Sequence, residues 1–226
     1  MFQIYIQILL YNIFKSTKER KIKMKIAIFI DCQNDFLKGG KLAYGYPEKD
    51  NFENVLAFAK YCVENELICY RTQDTHDETK YDFKKEPISG YLTTLEGKKL
   101  PIEHCVKHTK GWKIDSKLLE IIERPSTSIE KRTFGSNDLV AQISNDIHHL
   151  KNNDIHHLKN IDEILICGYC TSICVLANAV LLRAKFPNMK ITVLEDCCGD
   201  VSKEAHDAAL TVLKMQQIDI CKFINK

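Results

Sequence analysis

Residues 164–175 read ILICGYCTSICV, a short apolar run followed by a glycine and a cluster of small polar residues. The run Ile164–Cys167 has the length and composition of a buried strand. The stretch Thr171–Phe186 has apolar residues at helical spacing, and Thr171 or Ser172 is available as its N-cap. The segment therefore predicts a strand, a tight turn and a helix in direct succession.

The same alternation of strand and helix continues on both sides of this segment. Further apolar runs lie at Lys25–Ile30, Leu67–Tyr70 and Ile191–Leu194, and helical spacing recurs at residues 51–66 and Ser202–Gln217. Strands separated by helices are joined by right-handed crossovers into a parallel sheet. The sequence predicts an α/β fold with three layers, α/β/α, and a mostly parallel central sheet.

The composition is that of one globular domain. The chain has 226 residues, of which 45% are hydrophobic and 27% charged, and its formal net charge is +2. Nucleic-acid binding requires a strongly basic face, and a net charge this close to zero does not indicate one. We therefore expect no nucleic-acid partner. Ten cysteines, several within apolar runs, are expected to be reduced thiols in a cytoplasmic protein rather than a secreted disulfide framework.

Residues 1–23 differ from the rest of the chain. An apolar run, FQIYIQILLYNIF at 2–14, precedes a basic stretch, which is the reverse of the order in a signal peptide. The run is too short for a stable membrane span. We expect an N-terminal extension at 1–23, loosely packed or disordered, with a targeting segment or an amphipathic contact helix as alternatives. The folded domain is predicted to occupy 24–226.

An octapeptide, NDIHHLKN, occurs at Asn145–Asn152 and again at Asn153–Asn160. Two copies of eight residues cannot form a solenoid, which needs several larger repeats. The repeat therefore predicts a polar, low-complexity insertion or an extended helix-loop on the surface at 145–160. Its histidines, His148, His149, His156 and His157, leave metal binding open as the alternative.

Three polar signals follow predicted strands, where parallel sheets bind their ligands. They are Asp31, Asp74 and the turn Cys170–Cys174. A cysteine in the first turn of a helix can be activated as a thiolate by the free N–H groups there, which can also bind an oxyanion. Asp31 could take the thiol proton and pass it to a leaving amine. The ordinary alternatives are a structural cysteine and a capping aspartate.

Asp74 and His76 lie two residues apart, on one side of an extended segment. With His104 they make a set of two histidines and one carboxylate, which leaves positions on a metal open for water or substrate. The Asp-x-His pattern also occurs by chance, so alone it is a weak signal.

In their order along the chain, these motifs resemble the isochorismatase-like cysteine hydrolases, and nicotinamidases in particular. The resemblance extends from Lys25 to the end of the chain and is carried by Asp31-x-Gln33-x-Asp35-Phe36, Asp74-x-His76, His104-Cys105-Val106, Lys131 and Gly168-x-x-Thr171-x-x-Cys174-Val175.

The resemblance implies roles for the matching residues. Cys174 would be the nucleophile, Asp31 the general base and acid, and Lys131 the third member of the triad. A cis peptide bond between Tyr169 and Cys170 would precede the nucleophile, and the amides of Cys170 and Cys174 would form the oxyanion hole. The implied reaction is hydrolysis of nicotinamide to nicotinate and ammonia through a thioester, in NAD salvage.

The resemblance also implies a divalent metal, with Zn²⁺ as the expected ion. Its ligands would be Asp74, His76 and His104, with Glu96 as a further ligand, and Phe36 would stack on the flat ring of a small amide substrate. A homo-oligomer is left open.

The chain departs from many nicotinamidases in the aromatic wall of the pocket. Thr75 stands where those relatives have a tryptophan between the metal ligands, and Leu100 precedes Pro101 where they have Trp-Pro. Trp112 is the only indole available. Two alternatives therefore stay open: a related cysteine hydrolase acting on another small amide or an N-carbamoyl or ureido compound, and a non-catalytic small-molecule binder.

Overall fold

The computed structural model describes residues 24–122, 126–152 and 161–223. Its central sheet consists of β1 (Met24–Ile30), β2 (Ile68–Asp74), β5 (Ser126–Lys131), β6 (Ile161–Tyr169), β7 (Lys190–Gly199) and β8 (Asp219–Cys221). The strands lie in the order β5-β2-β1-β6-β7-β8, and every neighbouring pair is parallel. A short antiparallel pair, β3 (Lys80–Tyr81) and β4 (Pro87–Ser89), stands apart from this sheet.

Two groups of helices pack around the sheet. The helices are α1 (Phe52–Glu64), α2 (Leu95–Lys99), α3 (Ser116–Ile122), α4 (Asn137–Asn152), α5 (Leu176–Lys185) and α6 (Lys203–Met215). Helix α1 packs against α3, whereas α5 packs against both α4 and α6. The predicted three-layer α/β/α fold is confirmed. None of the helices in the described part of the chain is long and apolar enough to span a bilayer.

The core is centred on β1 and β6, which are covered on both faces. Residues Ile26–Ile30 and Ile164–Cys167 are all nearly inaccessible to solvent. Strands buried on both faces have continuous apolar sequences, which is why these two segments were evident from sequence. Burial of each large aliphatic side chain stabilises the fold by roughly 1.5–3 kcal/mol.

Several boundaries differ from the predictions. Strand β2 continues through Arg71–Asp74 and β7 through Glu195–Gly199, because ladder hydrogen bonds to β5 and β6 extend past the apolar residues. The single predicted helix Thr171–Phe186 is instead a π-helix, Thr171–Val175, followed by α5. Cys170 occupies the N-cap position, so the prediction of Thr171 or Ser172 as the cap is wrong.

The first copy of the octapeptide forms the C-terminal half of α4. Ile147 is buried in the core, and the carboxylate of Asp146 accepts a hydrogen bond of 2.6 Å from the hydroxyl of Tyr70. Residues 145–152 therefore extend α4, with Ile147 as their apolar position in the core, and the surface insert at 145–160 stays a prediction. The second copy, at 153–160, and the extension at 1–23 lie outside the described residues.

Candidate active site

Asp31, Lys131 and Cys174 meet at the carboxyl ends of the central strands. Asp31 follows β1, Lys131 ends β5, and Cys174 lies in the π-helix after β6. The Lys131 Nζ lies 2.7 Å from Asp31 Oδ2 and 3.4 Å from Cys174 Sγ. All three side chains are buried, with 0%, 4% and 5% of their surface exposed for Asp31, Lys131 and Cys174 respectively. The structure thus brings together the three residues of the expected triad.

The backbone of Asp31 is held in an unusual conformation. Its φ is 48°, in the left-handed region that aspartate tolerates better than most residues. Its N–H donates to Thr72 Oγ1 at 3.1 Å, and the Thr72 hydroxyl donates to Asp31 Oδ1 at 2.6 Å. Both contacts leave Oδ2 directed at Lys131. Thr72, which lies within β2, was not predicted as a site residue.

Gly168 allows the nucleophile turn to lie against the end of β1. Its φ is 126°, and a Cβ atom there would lie 2.0 Å from the carbonyl oxygen of Ile30. Any side chain would therefore push the turn away from Asp31, which follows Ile30 directly.

Burial dominates the protonation of the triad. It raises the pKa of Asp31, an effect that Lys131 opposes. It also raises the pKa of the Cys174 thiol well above its usual value, although Lys131 again acts in the opposite direction. Burial alone would lower the pKa of Lys131, but Asp31, Cys174 and Asp74 raise it well above the usual value. The site therefore holds a neutral thiol beside an ammonium group and a carboxylate that can accept its proton.

The turn before Cys174 is fixed by residues from β7 and beyond. The peptide bond between Tyr169 and Cys170 is cis. Thr171 Oγ1 donates to the Gly199 carbonyl at 3.1 Å and lies 2.9 Å from His206 Nδ1. The N–H and hydroxyl of Ser172 donate to the buried carboxylate of Asp200 at 2.7 Å and 2.9 Å. Asp200 therefore supplies the oxygen that the predicted Thr or Ser cap would have supplied.

Asn178 connects the nucleophile to the loop that follows Lys131. Its Nδ2 donates to the carbonyls of Cys174 at 2.8 Å and Phe134 at 3.0 Å, and its Oδ1 accepts from the Ser136 N–H at 2.9 Å. Sequence reasoning missed Asp200 and Asn178, because an isolated polar residue carries no signal of its tertiary partners.

Four side chains form a second cluster beside the triad. Asp74, His76, Glu96 and His104 offer ligand atoms that all lie within 4.8 Å of one another. The Nε2 atom of His76 is 2.8 Å from Asp74 Oδ2, and that of His104 is 3.4 Å from the same oxygen. The structure places Glu96 here as well, with Oε1 3.5 Å from His104 Nε2.

The donor set of this cluster fits a divalent cation. His104 Nδ1 lies 2.8 Å from the Ile102 carbonyl, which can only accept, so this nitrogen carries a hydrogen. In the neutral imidazole, Nε2 then presents a lone pair to the oxygens of Asp74 and Glu96. Acceptors that converge in this way require a proton or a metal ion between them. Two imidazoles and two carboxylates are ligands that suit Zn²⁺ and similar ions.

Asp74 belongs to both clusters. Its Oδ1 lies 3.5 Å from Lys131 Nζ, whereas its Oδ2 faces the two imidazoles. Burial raises the pKa of Asp74, but Lys131, His104 and His76 together bring it below its usual value. Burial would lower the pKa of His104, but Asp74 and the Ile102 carbonyl raise it overall. For Glu96, burial and the charge of Asp74 both raise the pKa.

Aromatic side chains surround the metal-ligand cluster. The ring centroid of Phe36 is 5.7 Å from that of His104, and the centroid of Tyr91 is 4.7 Å from His76 and 5.0 Å from His104. The indole of Trp112 donates to Thr75 Oγ1 at 2.9 Å. Trp112 thus contacts Thr75 from a distant loop, and Tyr91, which the sequence did not indicate, contacts both imidazoles.

Known proteins share this fold. The chain is 26% identical over 199 residues to the nicotinamidase of Escherichia coli (strain K12), which covers 83% of this chain and 89% of that protein. The crystal structure of a nicotinamidase/pyrazinamidase from Bacillus subtilis matches with a TM-score of 0.68 and 22% identity, over 88% of this chain and 100% of that chain. A pyrazinamidase of Pyrococcus horikoshii in complex with zinc matches with a TM-score of 0.66 and 20% identity, over 88% of this chain and 99% of that chain.

The family can be assigned over almost the whole described domain. The model of the isochorismatase domain matches residues 25–222, which include both side-chain clusters described above. The chain therefore belongs to the isochorismatase domain family.

Proposed function

We propose that this protein is a nicotinamidase, which hydrolyses nicotinamide to nicotinate and ammonia through a thioester on Cys174. The observation that carries the proposal is the position of Asp74. It contacts Lys131 of the triad on one side and the imidazoles of the metal-ligand cluster on the other. A flat heteroaromatic amide can then present its ring nitrogen to one cluster and its carboxamide carbon to the other.

The first half of the reaction transfers the acyl group to sulfur. The proton of the Cys174 thiol passes to Asp31 as Sγ attacks the amide carbon. The amides of Cys170 and Cys174, with the Lys131 ammonium, stabilise the oxyanion that forms. The C–N bond then breaks, Asp31 returns the proton to the leaving amine, and ammonia departs from the thioester.

The second half consumes one water molecule. Asp31 takes a proton from the water as its oxygen adds to the thioester carbon. The C–S bond breaks, and the proton held by Asp31 returns to the Cys174 thiolate. Nicotinic acid leaves and ionises in water, so the enzyme regains its starting protonation.

The metal-ligand cluster would hold the substrate ring in place. Asp74, His76, Glu96 and His104 would bind a divalent ion, with Zn²⁺ as the proposed metal, and that ion would supply a Lewis acid for the ring nitrogen and for bound water. Phe36 contributes an aromatic edge against which a pyridine ring can pack. Because the sequence identity to the named relatives is low, the identity of the substrate is the part of this proposal that needs a direct test.

We also propose that the protein acts in the cytoplasm, in salvage of NAD. All ten cysteines are free, nine of them buried, as in a reducing compartment. A small-molecule amide is the proposed partner. The homo-oligomer and the domain boundary at residue 24 stay predictions.

The test is ammonia release from nicotinamide by purified protein, with and without a chelator. Cys174→Ala should abolish turnover. Cys221→Ala, which removes a half-buried thiol on the edge strand β8, is the matched control and should keep wild-type activity. Full activity of Cys174→Ala would refute the thioester mechanism.

A folded, metal-replete protein without turnover would refute nicotinamide as the substrate. Pyrazinamide and N-carbamoyl compounds, measured in the same assay, would then distinguish another amide from a ureido substrate. Binding without turnover of any of them would favour the non-catalytic binder.

A further inference from the structure

The loop after β1 has three buried polar residues at alternate positions, and only one of them belongs to the triad. Asp31, Gln33 and Asp35 are 0%, 0% and 5% exposed. The reaction described above uses Asp31 and gives no role to the other two. Each of those two side chains contacts a segment that carries a metal ligand.

Gln33 binds both main-chain polar groups of Asp74. Its Oε1 accepts the Asp74 N–H at 2.7 Å, and its Nε2 donates to the Asp74 carbonyl at 2.8 Å. The same Nε2 donates to the carbonyl of Trp112 at 2.7 Å, while the Trp112 indole binds Thr75. Gln33 therefore fixes the backbone on both sides of the Asp74 Cα atom, and Trp112 holds the next residue.

Asp35 makes the corresponding contact with the second ligand segment. Its Oδ2 accepts the N–H of Cys105, the residue after His104, at 2.8 Å. Cys105 has a φ of 46°, which is uncommon and strained for a residue other than glycine. The carboxylate thus stabilises the bend that directs His104 towards Asp74.

We propose that Gln33 and Asp35 are positioning residues of the metal centre, Gln33 for Asp74 and Asp35 for His104. The inference rests on the metal centre proposed above. Neither side chain would touch the ion. Both reduce the freedom of the ligands before binding, and loss of such supporting contacts typically weakens metal binding by about 10–100-fold.

The experiment measures the affinity of the full chain for Zn²⁺ by competition with a chromogenic chelator. Gln33→Leu keeps the volume but removes all three hydrogen bonds, and should weaken Zn²⁺ binding by about 10–100-fold. Asn34→Ala is the matched control. Asn34 lies in the same loop, and its amide donates to the carbonyl of Lys110 and not to the backbone of Asp74 or Cys105. This variant should bind Zn²⁺ with wild-type affinity.

A second pair of variants tests Asp35 by conservative rescue. Asp35→Ala removes the acceptor for the Cys105 N–H and should weaken Zn²⁺ binding by about 10-fold or more. Asp35→Asn keeps one oxygen that can accept this N–H and should recover most of the affinity. Circular dichroism and the melting temperature of the metal-free proteins show whether each variant is folded. If Gln33→Leu does not fold, the two Asp35 variants provide the test of the inference.

The inference is overturned if folded Gln33→Leu and Asp35→Ala bind Zn²⁺ as tightly as the wild type, or if Asn34→Ala weakens binding equally. Because affinity is measured without substrate, a protein that binds Zn²⁺ but leaves nicotinamide intact refutes the proposed substrate and leaves this inference standing. A wild type that binds no Zn²⁺ refutes the metal centre and the inference together.

Discussion

At the scale of single residues, Lys131 connects the two clusters of the site. Its ammonium lies 2.7 Å from Asp31 Oδ2, 3.4 Å from Cys174 Sγ and 3.5 Å from Asp74 Oδ1. One buried cation thus faces two buried carboxylates and a thiol. Removal of one member of such a buried group is strongly unfavourable, about 3–5 kcal/mol, because a partner is left charged without compensation. The arrangement ties catalysis and stability to the same few atoms.

Asp31→Asn separates these two effects. Asparagine keeps the oxygen that accepts the Thr72 hydroxyl, and Asp74 still faces the Lys131 ammonium, so the chain should fold with reduced stability, but the amide cannot take the thiol proton. We expect kcat for ammonia release to fall by about 10²–10⁴-fold with a much smaller change in KM. Steady-state kinetics on the purified variant, with its circular dichroism as the folding check, test this. A variant with wild-type kcat would exclude Asp31 as the base.

Sequence could indicate some of these residues and not others. Asp31, Asp74 and Cys174 each follow an apolar run, so their position at the ends of strands could be predicted from the residues alone. Lys131 and Glu96 follow no such signal and were indicated only by the resemblance. Thr72, Asp200 and Asn178 could not be predicted, because their partners are set by which strands become neighbours.

At the scale of elements, Glu163 joins three strands near the amino end of the sheet. It lies in β6 and is buried, and its carboxylate is 2.8 Å from Lys25 of β1 and 2.9 Å from Lys190 of β7. The Thr192 hydroxyl donates to it at 2.7 Å. Burial raises the pKa of Glu163, but these hydrogen bonds lower it from 4.5 to about 2.

This ion-pair group predicts a pH-dependent contribution to stability. Because the pKa is lower in the folded chain, the ionised carboxylate stabilises the fold above pH 4.5, and the stabilisation is lost as the pH falls through about 2. At pH 7, Glu163→Gln should reduce the free energy of unfolding by about 2 kcal/mol, allowing for the partial exposure of both lysines.

Urea unfolding of the wild type and Glu163→Gln at several pH values would measure this contribution. The difference between the two proteins should shrink as the pH is lowered from 4.5 towards 2. Glu64→Gln, on the exposed face of α1, is the control and should change stability little at any pH. A difference that stays constant with pH would show that Glu163 acts through packing alone.

Elements were predictable where their apolar pattern was strong. The strands β1, β6 and the first part of β7 have continuous apolar runs, whereas β5 reads STSIEK and β8 is three residues long. Both of these edge strands were missed because strand pairing, and not their own composition, holds them in the sheet. The π-helix was also missed, because its first residues are held by contacts with Asp200 and His206, which lie later in the chain.

At the scale of the whole molecule, the metal-ligand cluster joins the end of a sheet strand to a short helix and a loop that lie outside the sheet. Asp74 ends β2, Glu96 lies in the short helix α2, and His104 lies in the following loop. Several apolar side chains between them are exposed, among them Phe83 and Leu95. This region therefore has little apolar burial of its own, and a bound ion would contribute a large share of its stability.

Removal of the metal should therefore lower the melting temperature. A ligand present at 100 times its dissociation constant stabilises the folded state by about 2.7 kcal/mol, which is roughly 5–10 °C for a chain of this size. Differential scanning calorimetry should show this loss on chelation and its recovery when Zn²⁺ is added back.

Two variants locate the effect. His76→Ala should melt at the chelated temperature with or without Zn²⁺. The double substitution of His148→Ala and His149→Ala, on exposed positions of α4, should keep the full response. If the double variant lost the rise in melting temperature on adding Zn²⁺ and His76→Ala kept it, the result would assign the metal to the octapeptide.

The strand order has a consequence for synthesis of the chain. Strand β1 lies in the middle of the sheet, with Ile26 paired to Ile68 on one side and to Ile164 on the other. A ribosome therefore releases β1 long before its second partner exists, and the growing chain carries an open apolar strand edge that invites association with other chains. The arrival of β6 closes that edge and, a few residues later, delivers Cys174 to Asp31 and Lys131. A nascent chain that stops before this point is both prone to aggregation and without its nucleophile, so thiol chemistry can begin only after β1 has gained both of its neighbours in the sheet.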